Sequence, residues 1–283
     1  MLVEPKDMTV SCAVVSRNDG VENLKERFVL CINGLLNTFD EVVYVDWGSM
    51  GTSLVDATKD YLMKTGRLRY FIVSPEQVDL FVKKDESSAN EFCQNMARNI
   101  SIRRCTKDFI VSTNIDIVVP SRRCFNMAFQ DDVFYTIPRR DIDITHFAHV
   151  IHSSIEVVQA FVEEVGMTYK ELDAVRLFPE DEWSLVCGCG DFQIAHRNIW
   201  FSVKGFEESL RYGFYADTNV QKKAVLGGFG LKALWHQFPI MHITHPIRCN
   251  RYNSVDDAVR CFTHTTNKDS WGFEDIVFPG GQM

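Results

Sequence analysis

Apolar positions over the first 119 residues alternate between two periods. Thr9 to Ser16 (TVSCAVVS) is a short, apolar, β-branched run of the kind a buried strand needs, and it stops at the turn cluster Arg17-Asn18-Asp19-Gly20. From Leu24 the period becomes helical. Leu24, Phe28, Cys31 or Ile32, and Leu35 share one face behind Asn23, a candidate cap. Glu41 to Asp46 (EVVYVD) is a second strand closed by Trp47-Gly48-Ser49, Leu54 to Met63 a second helix, and Arg67 to Val73 (RLRYFIV) a third strand ending at Ser74-Pro75. Phe92, Met96 and Ile100 recur every four residues, a helical stripe, and Asp108 to Val119 (DFIVSTNIDIVV) follows as a fourth strand. Strands and helices alternating at these lengths predict an α/β fold, a mostly parallel sheet joined by right-handed crossovers.

The pattern loosens afterwards. Asp132 to Pro138 predicts a strand, Arg139 to His152 an irregular connection carrying His146 and His149, and Ile155 to Val165 a helix. Leu185 to Ala195 predicts a strand interrupted by glycines, and Arg197 to Phe206 leads to a short helix near Glu207. Asp217 to Leu226 predicts a helix with Asp217 as its cap, and Phe238 to Pro246 (FPIMHITHP) a short strand bearing two histidines. The tail from about residue 247 is polar and turn-rich around Trp271-Gly272-Phe273. No repeat or low-complexity linker divides the chain. The expectation is one compact domain of two halves, residues 1–125 and 126–283.

Charge and cysteine usage narrow the function classes. With a net charge of −8, the chain lacks the overall basic balance of a nucleic-acid binder. Its basic residues cluster locally, at Arg98, Arg103, Arg104 and Lys107, at Arg122 and Arg123, and at Arg139 and Arg140, where they can meet phosphates or form solvated faces. Nine cysteines without repeating spacing, several in apolar runs, predict small core residues in a reducing, cytoplasmic compartment. Cys187-Gly-Cys189 has no second pair at zinc-ligand spacing. There is no run of 18 apolar residues, and MLVEPKDMTV lacks the regions of a signal peptide, so the chain is expected to have no transmembrane segment and to be at most membrane-peripheral.

Ligands of open α/β sheets bind at the carboxyl ends of strands, and Ser16, Asp46, Ser74 and Asp116 all fall there. On a regular strand Asn114 and Asp116 point the same way. An oxygen-rich pair at a strand end suits a hard divalent cation, Mg2+ or Mn2+, that also takes phosphate oxygens. The competing reading of Asp116 is a simple turn former.

These segments also carry a resemblance. NMARNISIRRCTKDFIVSTNID resembles the "ARNIGIRRAtGDFI…D-x-D" segment of family-2-type nucleotide-sugar glycosyltransferases, EVVYVDWGSMGTSLVD their "VVVDDGSTDGT" turn, and SCAVVSRND their first strand. GCGDFQIAHRNIWFSVKGFEE resembles the acceptor-side segment of the galactosyltransferase-like branch, Tyr215-Ala216-Asp217 its acidic "ED" helix start, and IMHITHP its late histidine strand. The likeness runs in order from about residue 9 to 246. It implies a GT-A fold and an inverting transfer of a sugar from a nucleotide diphosphate donor, UDP-linked, to a glycan or other hydroxyl acceptor. Ser16, Arg17 and Asp46 would line the base and ribose, and Arg98 would approach the diphosphate or the sugar. Asn114 would bond ribose or a metal-bound water, and Asp116 would ligate Mn2+ or Mg2+. His242 would be the second protein ligand, with His245 the alternative. Asp217 would be the general base. Asp191 would bind acceptor or donor-sugar hydroxyls, with the base as its second reading, and Trp271 would stack on a sugar as a lid. Two letters depart from the pattern: Asn114 stands for the first Asp of D-x-D, and Ala216 for the Glu before Asp217. They keep open a catalytically silent binding protein of the same fold. A sugar nucleotidyltransferase is disfavoured, because SRNDGVENLKE has only one glycine after the first strand.

Overall fold

The computed structural model describes residues 2–3, 7–21, 23–82, 93–119, 127–137, 139–142, 157, 167–168, 190–210, 216–234, 240–243 and 266–283. The expected helix over 155–165 (residue 157 apart), Cys187 and Cys189, His146, His149 and His245 lie outside the described residues.

Strand β1 (Leu2–Val3) pairs with β7 (Phe129–Gln130) in a small separate ribbon. Strands β2 (Val10–Ser16) and β3 (Glu41–Trp47) are buried along their whole length, as central strands covered on both faces must be. They pair in parallel, joined by helix α1 (Leu24–Thr38), which buries Phe28, Cys31, Ile32 and Leu35 against the sheet. Asn23 adopts a left-handed conformation and makes no side-chain cap, contrary to its expected role. Helix α2 (Leu54–Thr58) is shorter than predicted. Strand β4 (Leu68–Val73) continues the parallel set, and Ser74 closes a capping box with Gln77 at the start of α3 (Pro75–Phe81), a helix the apolar pattern did not predict.

Helix α4 (Gln94–Arg104) crosses to β5 (Phe109–Asn114), which pairs in parallel with β2 on the side away from β3. The predicted fourth strand is broken in two. Beyond Asn114 the backbone turns at Ile115-Asp116, and β6 (Ile117–Val118) enters a different sheet.

The later segments extend both sheets. Strands β8 (Val133–Thr136), β11 (Phe192–His196) and β12 (Gly230–Ala233) extend the large sheet past β5, and β14 (Gly280–Gln282) caps its other edge, giving eight strands in the order β12-β8-β11-β5-β2-β3-β4-β14. Strand β9 (Arg139–Ile142) forms where an irregular connection was expected. With β10 (Met167–Thr168), β13 (Ile240–Ile243) and β6 it makes a four-stranded sheet, ordered β10-β9-β13-β6. Helix α5 (Arg197–Ser202) follows β11 directly, and helix α6 (Ala216–Leu226) packs Val220 and Ala224 into the cluster that covers Phe134, Ala195 and Trp200. The last 18 residues are less loose than their polarity suggests. Arg104 donates to the carbonyls of Gly272, Phe273 and Ile276, tying this segment to α4.

Candidate functional site

The carboxyl ends of β2 and β3 form one corner of the site. Gly48 takes φ +68°, a conformation that favours glycine, and lets the chain turn out of β3. Asp46 faces inward. It is 0% exposed, and its carboxylate accepts hydrogen bonds from Ser49 N (3.2 Å), Leu54 N (3.4 Å) and Tyr44 Oη (3.2 Å). Burial raises its pKa, against the pull of those donors. Asp46 therefore ties the 47–54 loop to the end of β3. Ser16 Oγ is 2.7 Å from Tyr44 Oη, and Ser16 is also buried. Arg17 is partly exposed at this rim, and Asn18 beyond it donates its amide to Ser49 Oγ (2.6 Å) and its side chain to Thr52 O (2.8 Å).

A second group gathers under helices α4 and α6. Arg98, only 4% exposed, lies over the Phe206 ring with its guanidinium carbon 5.1 Å from the centroid. It donates to Asn114 Oδ1 and Ser112 Oγ, and stands 3.8 Å from Asp217 Oδ1. Asn114 Nδ2 in turn donates to Asp191 Oδ1 at 2.7 Å, and Asp191 Oδ2 accepts from Arg139. Asp217 lies in the first turn of α6 rather than at its cap. Burial pushes its carboxyl up to about 6, Arg98 opposes that rise, and Asp191 adds to it. The group still opens to solvent on one side, with 31% of the side chain accessible. Gly190 makes room for it: a Cβ there would fall 1.6 Å from Asp217 Oδ2. Thr136, Gln193 and Ser112 lie opposite one another across β8, β11 and β5, all fully buried, and give this part of the sheet a polar row.

The third group belongs to the smaller sheet. The turn at Ile115-Asp116 places Asp116 beside β13, where its carbonyl accepts from Ile243 N at 2.9 Å. His242 Nε2 is 3.6 Å from Asp116 Oδ2, and its Nδ1 is 2.6 Å from Asp141 Oδ1. Arg139 Nε lies 2.9 Å from the same Asp141 oxygen. Burial works against a charged imidazole, but Asp116 and Asp141 outweigh it and raise the His242 pKa to about 9. A carboxylate and an imidazole at this separation, the imidazole held from behind by a second carboxylate, have the chemistry of a divalent-metal half-site. Among the described residues no group of three or more His, Cys, Asp or Glu is placed to hold a metal ion, so this pair is a half-site at most.

Arg139 was read only as one of a basic pair, and neither Asp141 nor Gly190 was given a role; Arg139 and Asp141 mark the site together. These two alternate on β9, and that period-two pattern was the signal available for them. Trp271 is 2% exposed, packed against Phe201 and lying 4.8 Å from the Arg103 guanidinium carbon.

No protein-family model and no curated protein matches the sequence. Solved structures do match it. TarS 1–349 of S. aureus in complex with UDP-GlcNAc superposes with a TM-score of 0.54 at 14% identity, covering 90% of this chain and 64% of that one. GalNAc-T7 with UDP, GalNAc and Mn2+ gives 0.50 at 12% identity, covering 84% of this chain and 44% of that one. The mannosyltransferase PcManGT from Pyrobaculum calidifontis, with GDP-Man and Mn2+, gives 0.48 at 14% identity, covering 87% and 60%. The chain thus spans less than two thirds of the length of each. At these identities the likeness is one of fold: the chain has the GT-A fold of nucleotide-sugar glycosyltransferases.

Proposed function

We propose that this chain is an inverting glycosyltransferase that moves a sugar from a nucleotide diphosphate donor, UDP-linked, to a hydroxyl acceptor. The observation that carries this reading is Asp217. Its carboxyl has a pKa raised to about 6 and sits over a glycine beside Asp191 and Arg98. A base of that pKa is ionised at neutral pH yet basic enough to take the proton of an attacking hydroxyl. The structures with TM-scores of 0.50 and above contain UDP-GlcNAc, or UDP with GalNAc and Mn2+, which supports the donor class.

In this reading residues 1–125 form the donor half and residues 126–283 the acceptor half. Asp217 orients and deprotonates the acceptor hydroxyl as it attacks the anomeric carbon, in one displacement without a covalent intermediate. Arg98 meets negative charge on the donor, held in place by Phe206 and Asn114. Asp191, fixed by Asn114 and Arg139, binds a sugar hydroxyl. Asp116 and His242 would hold Mn2+ or Mg2+, which when bound neutralises charge on the departing diphosphate. The buried free thiols Cys12, Cys31, Cys93 and Cys105 support a reducing, cytoplasmic setting, and no described helix is long and apolar enough to cross a membrane.

The test is release of UDP from UDP-sugars with Mn2+ present. Asp217→Asn is expected to lose about 10²–10⁴-fold in turnover while still binding UDP. If the wild type neither binds nor cleaves any nucleotide sugar with metal present, the proposal fails.

A further inference from the structure

Asn114 is the letter at which the chain departs most plainly from D-x-D, and its surroundings give that departure a purpose. On one side its Oδ1 accepts from the Arg98 guanidinium. On the other its Nδ2 faces a carboxylate, Asp191 Oδ1, at 2.7 Å. A primary amide meets a donor and an acceptor at once, whereas an ionised carboxylate accepts only. An aspartate at this position would keep Arg98 but would turn a second acceptor towards Asp191 where the amide offers a donor. The charged and titratable groups around the position are Arg98 on α4, with Asp217 of α6 beyond it, and Asp191 ahead of β11, with Arg139 of β9 beyond it. Cys31 of α1 meets the Asn114 carbonyl at 3.5 Å.

We propose that Asn114 is a positioning residue that bridges Arg98 to Asp191, joining the donor-side and acceptor-side groups, and that an aspartate there disables the site instead of restoring it. The catalytic part of this inference rests on the glycosyltransferase reading; the bridge itself rests on geometry alone. Asn114 meets no metal in this role. It sets the angle of the Arg98 guanidinium and, through Asp191, the place of Arg139.

The experiment compares the wild type with Asn114→Asp, Asn114→Ala, Asp191→Asn and the swap Asn114→Asp/Asp191→Asn, which returns one amide and one carboxylate to the pair. Thermal unfolding is measured from pH 5 to pH 8, and UDP release from UDP-GlcNAc and UDP-glucose with Mn2+ across the same range. Asn114→Asp is expected to melt below the wild type, because the donor to Asp191 is lost and a second acceptor faces it. Asn114→Ala should melt lower by a margin that does not change with pH. In UDP release, Asn114→Asp should lose about tenfold or more, and the swap should recover most of the loss in melting and in turnover. Wild-type turnover or a raised Tm in Asn114→Asp overturns the proposal, and so does a swap no better than the sum of its two parts. If the wild type cleaves neither donor, the glycosyltransferase reading fails separately, and the melting curves of the four variants still decide whether the bridge exists.

Discussion

Gly190→Ala tests the site through a residue that does no chemistry of its own. The added Cβ would lie 1.6 Å from Asp217 Oδ2, 1.9 Å from its Cγ and 2.7 Å from its Cβ. Non-bonded carbon and oxygen settle near 3.5 Å, so the carboxylate must retreat by about 2 Å. Gly190 is not among the glycines with positive φ, so alanine brings no backbone strain. What yields is the end of one side chain, and the cost to folding should be about 1 kcal/mol or less, partly offset by the stiffer unfolded chain. The cost to function is of another size. A misplacement of about 1 Å in a reacting group costs about 10²-fold, or about 2.7 kcal/mol of barrier. The variant should therefore melt within a few degrees of the wild type yet release UDP about 10²-fold more slowly. In an Asp217→Ala background, where two of the three clashing atoms are gone, the same change should cost little more. Wild-type turnover in Gly190→Ala would refute the assignment of Asp217 as base. An equal loss of turnover from Gly190→Ala with and without Asp217 would show that the glycine acts elsewhere.

Three further outcomes follow from the same geometry. The Asp217 pKa is raised to about 6 from the unfolded range near 4, so the folded state holds this proton more tightly: stability falls as pH rises from about 4 to 6, and UDP release should rise over the same limb. Asp217→Asn should flatten the stability change in melts between pH 4 and 7. His242 is raised to about 9, so its stabilisation is fully present below about 6.5 and is lost as pH rises to 9. Mn2+ must displace that proton, and its apparent affinity, followed by calorimetry, should climb about tenfold per pH unit below 9 and lose that slope in His242→Gln. Trp271→Ala should cost about 3–5 kcal/mol in denaturant melts, as a buried indole does, with no change in the KM for the donor.

The sheet was legible where burial on both faces leaves a continuous apolar signature. Val10–Ser16 and Glu41–Trp47 carry it, and both form where the pattern put them. Strand β9 was not legible, because Arg139-Arg140-Asp141 gives up apolar residues to charged ones on a short strand of the small sheet. Chemical identity could be read from single letters, and pairing could not. Asp116 and His242 are 126 positions apart by number, and no local pattern shows that Ile117 lies opposite His242. Asp46 and Trp271 each have a residue type that suits a ligand, and their burial, against a loop and in a core cluster, was not legible from the letters.

The break at Ile115-Asp116 explains why two positions of one short motif have separate duties. Had β5 run on to Val119 as the apolar pattern suggests, Asn114 and Asp116 would face the same side of one sheet and compete for one ligand. Instead the chain leaves the eight-stranded sheet at Asn114 and joins the four-stranded sheet at Ile117. Asn114 stays with Arg98 and Asp191, while Asp116 is carried to His242. The two groups are rejoined through Arg139, which meets Asp191 with one nitrogen and Asp141 with another. Asn114 can thus be an amide without altering the pairing of Asp116 with His242, which lies beyond the turn. Removing the carboxylate of Asp116 should abolish Mn2+ binding with little effect on the pH profile of the Arg98–Asp191 side, and removing the Asn114 amide should do the reverse. Two variants that each impaired both properties equally would show that the seam does not divide the site.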